Sequence, residues 1–304
     1  MLHVLAVFAA ALLFGTTGTA QALGPEGTTP LSVGVMRMIV GGTGLALIAS
    51  LLAWRHARVQ RRERPDAARP SWMAKPVLLM ALTGVCLAVY QPLFFLGTQR
   101  NGVAVSTVIA LGSAPVIAGL VEWALTRRLP TRTWVAATAL ATVGVVLLGA
   151  GGSATGGGAD PLGIAGAVGA GAAFAVFANI QRRLLDAGWD PFTVVGGMGA
   201  SAALVALAAL PFVDVSWLAD PRGLAMALWL GLATTAVAYV LFTWGLQGVS
   251  AATAATLTLG EPLTASILGV VVLGEQLSGP AVAGLLVLGA GLVLLALAHT
   301  RARV

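Results

Sequence analysis

Apolar runs of roughly 20 residues recur from one end of this chain to the other, each long enough to cross the hydrocarbon layer of a bilayer. In lipid every backbone polar group must be satisfied within the protein, so such segments are helices or strands of a closed barrel. These runs are long and continuous rather than short and alternating, which excludes the barrel. Charged residues make up 9% of the chain and hydrophobic ones 58%, against about 25% charged in ordinary soluble domains. The fold class is therefore an all-α polytopic membrane protein. Ten spans are expected, at 2–22, 30–53, 76–97, 103–125, 133–150, 161–181, 191–212, 223–246, 250–273 and 279–298. Glycine and proline mark many of their ends, as at Gly24-Pro25, Pro130, Asp160-Pro161, Asp190-Pro191 and Gly279-Pro280.

The net charge of +6 does not imply a nucleic-acid partner, because the basic residues sit mainly in short loops, where they set topology. With the N-terminus in the cytoplasm, the inside set is Arg55, Arg58, Arg61, Arg62, Arg64, Arg69, Lys75, Arg127, Arg128, Arg132, Arg182, Arg183, Arg301 and Arg303. The outside set is Arg100 and Arg222. Fourteen against two predicts an inner-membrane protein with both termini cytoplasmic. Ala20-Gln21-Ala22 resembles a signal-peptidase site. The segment before it lacks a basic n-region, however, and has a later counterpart. Phe14 and Gln21 repeat as Phe174 and Gln181, and Pro30 as Pro191. It is read as a retained first span.

That counterpart belongs to a larger repeat. Residues 102–151 and 248–298 read as two copies of one hairpin, with Pro115 aligned to Pro262 and Gly144 to Gly291. Basic Arg127-Arg128 falls opposite Gly274-Glu275. Five spans per half is an odd number, so the second half enters from the opposite side and loses its positive charge. The expected organisation is a first repeat at 1–150, a glycine-rich external linker at 151–159 and an inverted second repeat at 160–304, around a central cavity. Inverted repeats build secondary transporters, with substrate bound near midplane where the halves meet. The aligned prolines predict matching mid-membrane breaks.

The pattern resembles the drug/metabolite transporter superfamily, in its ten-span EamA-type branch. The carrying residues are Phe14-Gly15 in span 1, Arg37 in span 2, Pro115 and Pro262 in spans 4 and 9, and Gly274-Glu275-Gln276-Leu277-Ser278 between the last two spans. The likeness extends over essentially the whole chain, with bacterial amino-acid exporters of the YddG type as the nearer comparison. It implies a basket-shaped bundle whose cavity is lined mainly by spans 1, 3, 4, 6, 8 and 9. The first copy departs from the signature, carrying Arg127-Arg128-Leu129-Pro130 at the matching place.

Glu261 is the sharpest single residue. It lies about eleven residues into span 9, roughly 16 Å along the helix, where a carboxylate is costly and faces the bundle interior or a wet cavity. Pro262 follows and frees a carbonyl. Glu261 reads as an ammonium-binding or proton-accepting group, against a structural acid bonded to a neighbouring helix. Arg37, roughly 10 Å from one end of span 2, could hold a carboxylate. It could equally snorkel or pair with a helix-end carbonyl, and the resemblance implies a structural arginine outside the cavity, which is preferred. Glu122 reads as interfacial or paired with Arg127.

Phe14 with Thr17, Tyr90 with Phe94, and Phe174 with Phe177 share helical faces. Tyr239, Ser113 and Thr258 add hydroxyls, which either serve the cavity or bond back to their own helices. The expected substrate-binding set is Phe14, Thr17, Tyr90, Phe94, Ser113, Phe174, Phe177, Tyr239, Thr258 and Glu261; ordinary packing is the alternative for any single Phe. Glu261, Pro115 and Pro262 are the coupling or gating candidates. Gly163, Gly166, Gly169 and Gly171 suit close helix approach. Trp54, Trp72, Trp123 and Trp217 read as interfacial anchors.

Cys86 is the chain's one cysteine, which leaves no disulfide framework or multi-cysteine metal site. No HExxH, GxSxG or P-loop motif occurs, and no cofactor or metal is expected. The function read here is secondary transport of amino acids or similar small amphipathic metabolites, outward, by a monomer in the lipid bilayer. Export of other metabolites or drugs is the alternative. A polytopic enzyme would need a nucleophile, base or metal cluster at one depth, and a scaffold would need a dry, packed centre.

Overall fold

The computed structural model describes residues 1–63, 74–150, 160–274 and 276–301. Among the described residues there are ten apolar helical spans: span 1 Leu2–Ala22, span 2 Pro30–Val59, span 3 Ala74–Gly102, span 4 Val105–Thr126, span 5 Arg132–Gly149, span 6 Pro161–Asp186, span 7 Pro191–Phe212, span 8 Pro221–Gly245, span 9 Ala251–Leu273 and span 10 Gly279–Ala298. The expected linker at 151–159, Glu275 of the signature, Trp72, Arg64, Arg69 and Arg303 lie outside the described residues.

The ends of these helices follow from local chemistry. Asp160, Asp190 and Asp220 stand at the N-caps of spans 6, 7 and 8, each followed by a proline that needs no hydrogen bond there. The Asp160 carboxylate accepts N–H bonds from Leu162 and Gly163, and Asp190 accepts that of Thr193. Spans 3 and 4 meet without a loop. Helix runs to both sides of Gly102, whose φ of 76° turns the chain through a left-handed conformation that suits only glycine comfortably.

Packing between spans has a two-fold order. Span 6 lies against spans 3 and 4, and span 1 against spans 8 and 9. Span 2 packs on span 7 and span 5 on span 10. Span 7 also meets span 3, as span 2 meets span 8. Exchanging each span for its counterpart five places on maps these pairings onto themselves. Because each half crosses an odd number of times, the halves run in opposite senses. Both chain ends then emerge on one side, the terminal face, with the far face opposite.

Small residues make the closest of these contacts, since helices in lipid attract by close packing rather than by hydrophobic exclusion. A Cβ on Gly144 would lie 2.5 Å from the backbone nitrogen of Leu288, and one on Gly291 would lie 2.7 Å from that of Ala141. The two glycines aligned in the repeats thus serve one interface, between spans 5 and 10. Gly166 and Gly171 seat span 6 on spans 3 and 4 in the same way.

Two of the expected interfacial tryptophans keep an exposed side chain. Trp54 and Trp123 are exposed, and Trp54 carries the Arg58 guanidinium 3.5 Å from its ring centroid. Trp217 does not. It is buried with Val33, Met226 and Leu230, and its indole N–H donates to Ser32 Oγ at 3.1 Å.

Replacing Gly144 or Gly291 by alanine should lower the melting temperature in detergent, with an overpacking cost of roughly 1–3 kcal/mol. Gly289→Ala, where a Cβ meets nothing within 4 Å, should not lower it, since alanine is the better helix former. On the far face, the N–H groups of Gly163 and Leu162, then Arg100, hold the Asp160 carboxyl below its ordinary value of 3.8. A depressed carboxyl stabilises above that ordinary value and loses its effect as pH falls through the depressed one. Acid titration of Asp160→Asn should therefore lack part of the wild-type destabilisation below about pH 4.

Candidate functional site

A cavity of about 150 Å³ lies within the bundle, enough for several waters or a small solute. Span 1 contributes Phe14, Thr17 and Gln21; span 2, Arg37 and Met38; span 3, Tyr90, Gln91, Phe94 and Phe95. Ala110, Leu111 and Ala114 come from span 4, Gly171 and Phe174 from span 6, Tyr239 from span 8, and Thr258 and Glu261 from span 9. The walls are mainly aromatic and aliphatic, with a few polar groups.

Helical regularity fails next to this cavity. Span 1 breaks at Thr16, between Leu2–Gly15 and Thr17–Ala22. Span 9 breaks between Ala251–Leu257 and Gly260–Leu273. Pro262 has no N–H for the Thr258 carbonyl and its ring crowds that oxygen; the Glu261 N–H bonds to it instead, at 2.9 Å. Span 8 widens to a π-helix over Trp229–Val237, a deviation frequent at functional sites. The three irregular stretches touch. Trp229 donates its indole N–H to Thr16 Oγ1 at 3.0 Å, and a Cβ on Gly15 would lie 2.6 Å from the Glu261 carbonyl oxygen.

Two charged side chains face this space. Arg37 donates from Nε to Thr235 Oγ1 at 3.0 Å and from Nη2 to the Thr234 carbonyl at 3.3 Å, both in the π segment. The structure thus corrects the expectation that Arg37 lies outside the cavity: it lines it. Glu261 sits in the first turn of the second half of span 9, where a carboxylate suits the helix dipole. Among the described residues its carboxylate accepts no hydrogen bond, and no ion pair within 4 Å joins it to Arg37.

Of the residues expected here, Phe14, Thr17, Tyr90, Phe94, Phe174, Tyr239, Thr258 and Glu261 line the cavity together. Phe177 and Ser113 do not. Phe177 is fully buried beneath the wall, packed edge-on against Phe174, Tyr239 and Phe242. Ser113 abuts Gly171 at the contact of spans 4 and 6, and its hydroxyl donates to the Ala110 carbonyl at 3.2 Å. Both share a helix face with true lining residues, and depth along the bundle separates them. The matching breaks expected at the two prolines are not matched either: span 4 stays helical through Pro115, whereas span 9 breaks before Pro262. Sequence reasoning missed Gln91, noted Gln21 only as a repeat position, and weighed Arg37 as a carboxylate partner before preferring a place outside the cavity.

Toward the terminal face the cavity is bounded by packed aromatic rings. Phe174, Phe177, Tyr239 and Phe242 form an aromatic floor. Below it, Glu122 of span 4 caps span 9 by accepting the Ala252 N–H at 3.0 Å, rather than pairing with Arg127. Arg182 of span 6 donates to the carbonyls of Leu246 and Val249 at the end of span 8 and pairs with Asp186. One acid and one base thus tie the span 8–span 9 turn to its neighbours.

The EamA-like transporter family matches residues 1–150 and 161–297 of this chain. The chain belongs to the EamA-like transporter family. An uncharacterized transporter of Bacillus subtilis (strain 168), YwfM, is 39% identical over 300 residues, covering 98% of this chain and 94% of its own. A solved crystal structure aligns with a TM-score of 0.76 over 97% of this chain and 98% of its own, at 21% identity, and shows the fold alone. As an EamA-like transporter with ten apolar helices among the described residues, this is a multi-pass membrane protein, and a transporter implies a small-molecule substrate.

Combined Glu122→Ala and Arg182→Ala substitution should loosen the terminal-face closure. Thiol reagents applied from that face should then label a cysteine at position 114, which lines the cavity outside the floor, faster than in the parent Cys86→Ala, Ala114→Cys variant, and equal labelling would show that the aromatic floor suffices alone.

Proposed function

We propose that this chain is a secondary transporter of the cell inner membrane that exports amino acids or similar small amphipathic metabolites by alternating access. The observation that carries the reading is the cavity itself, with its aromatic walls and opposite charges from spans 2 and 9. A few placed polar groups on apolar walls suit a small amphipathic solute. Phe14, Tyr90, Phe94, Phe174 and Tyr239 form the apolar surface against the solute, and Thr17, Thr258 and Glu261 its polar contacts. The halves at 1–150 and 160–304 rock about this site, with the break before Pro262 as a bend point. The basic side chains of the terminal face support a cytoplasmic position for both termini. The aromatic floor then faces inward. The outward direction of transport rests on the resemblance to amino-acid exporters. A scaffold would have a dry centre, at odds with the charged and amide groups found there.

Counterflow of labelled amino acids in proteoliposomes should exceed that in empty liposomes, and absence of flux across a panel of all common amino acids would sink the substrate reading. Glu261→Gln should reduce flux by roughly tenfold or more, the scale of one charged hydrogen bond, or alter its pH dependence, while the protein still folds. Wild-type flux with an unchanged pH profile would make Glu261 structural.

A further inference from the structure

Arg37 and Glu261 pose a problem that neither solves for the other. Charges inside a membrane bundle are costly unless partnered, and direct pairing is the simplest internal remedy. The fold does not take it. Arg37 is held by Thr235 Oγ1 and the Thr234 carbonyl, and a guanidinium has more N–H donors than these two bonds use. Glu261 is set by the break in span 9, with its backbone against Gly15. The two stay more than 4 Å apart on walls of one cavity. Beside them the Thr17 hydroxyl is buried without a partner among the described residues.

Resting on the transporter reading above, we propose that the cavity selects free α-amino acids as zwitterions, with the carboxylate held at Arg37 and the ammonium at Glu261. One small molecule carrying both charged groups on a single carbon completes both residues at once. A monoamine leaves the guanidinium unanswered, and a simple carboxylic acid leaves the carboxylate unanswered. Such unmet buried groups are what let a polar site reject near-isosteres strongly. The side chain then lies against the rings of Phe14, Tyr90, Phe94 and Tyr239, which carry no formal charge. Because span 2 and span 9 belong to different halves, the bound zwitterion also bridges the two parts that rock.

The test uses wild-type protein in proteoliposomes with labelled L-leucine and L-phenylalanine in counterflow. Competitors are the parent amino acids, their amides, the corresponding decarboxylated amines, and their N-acetyl and deamino acids. Intact zwitterions should compete roughly tenfold or more better than any single-charge analogue. Equal competition by the amines or the acids overturns the proposal while leaving amino-acid transport standing. Absence of any amino-acid flux overturns both readings. In variants that still transport, Arg37→Gln should shift preference toward the amine, and Glu261→Gln toward the N-acetyl acid; unchanged ratios in both overturn the assignment. The wild-type panel decides the matter even if Arg37→Gln fails to fold.

Discussion

A backbone in lipid has no water to turn to, so each N–H and C=O must find its partner inside the protein. Most of this chain meets that demand by being helix. The exceptions are therefore confined to places where other groups supply the missing bonds. Thr16 at the break in span 1 donates its hydroxyl to Leu13 and receives the Trp229 indole. The π segment of span 8 has Thr234 and Thr235 hydroxyls bonding back to Leu230, and Arg37 reaching in from span 2. Span 9 breaks where Glu261 N–H takes the place of the bond that Pro262 cannot make. These repairs interlock around the cavity, so the irregular backbone and the candidate site are one feature.

The two prolines show how a repeat becomes asymmetric. Each lacks the N–H owed to the carbonyl four residues back, which belongs to Leu111 for Pro115 and to Thr258 for Pro262. Both residues line the cavity. Only in span 9 does the helix part, and only there does an acid precede the proline. The terminal-face closure is asymmetric in the same way. It joins spans 4 and 6 to the turn between spans 8 and 9 through Glu122 and Arg182. The opposite face is joined at the start of span 6, where Arg100 and Asn101 reach Asp160.

Much of this was legible from residue order. The caps Asp160-Pro161 and Asp190-Pro191 end loops in a way that local chemistry alone dictates. Helical spacing placed Phe14 with Thr17 and Tyr90 with Phe94 on shared faces, and both pairs line the cavity. The same spacing put Phe174 and Phe177 together, yet Phe177 lies under the floor. Periodicity gives the face of a helix and says little about how far along it the cavity extends. Trp217 near a span end reads as an interfacial anchor, but Ser32 offers its indole a partner 185 positions away, and it is buried.

The chain's sequence by itself determined the ten apolar segments, many of their proline-marked ends and the correspondence of first-half with second-half positions. Those follow from hydrophobic length, proline and aspartate chemistry, and internal repetition, all local or self-comparing signals. Only tertiary structure decided that Arg37 turns into the cavity, that Glu261 lines the same cavity without an ion pair among the described residues, and that Glu122 caps a distant helix. Arg37 meets its partner across 198 positions and Glu122 across 130. A side chain's partner at such separation depends on which helix faces meet and at what depth, and no spacing within either segment encodes that.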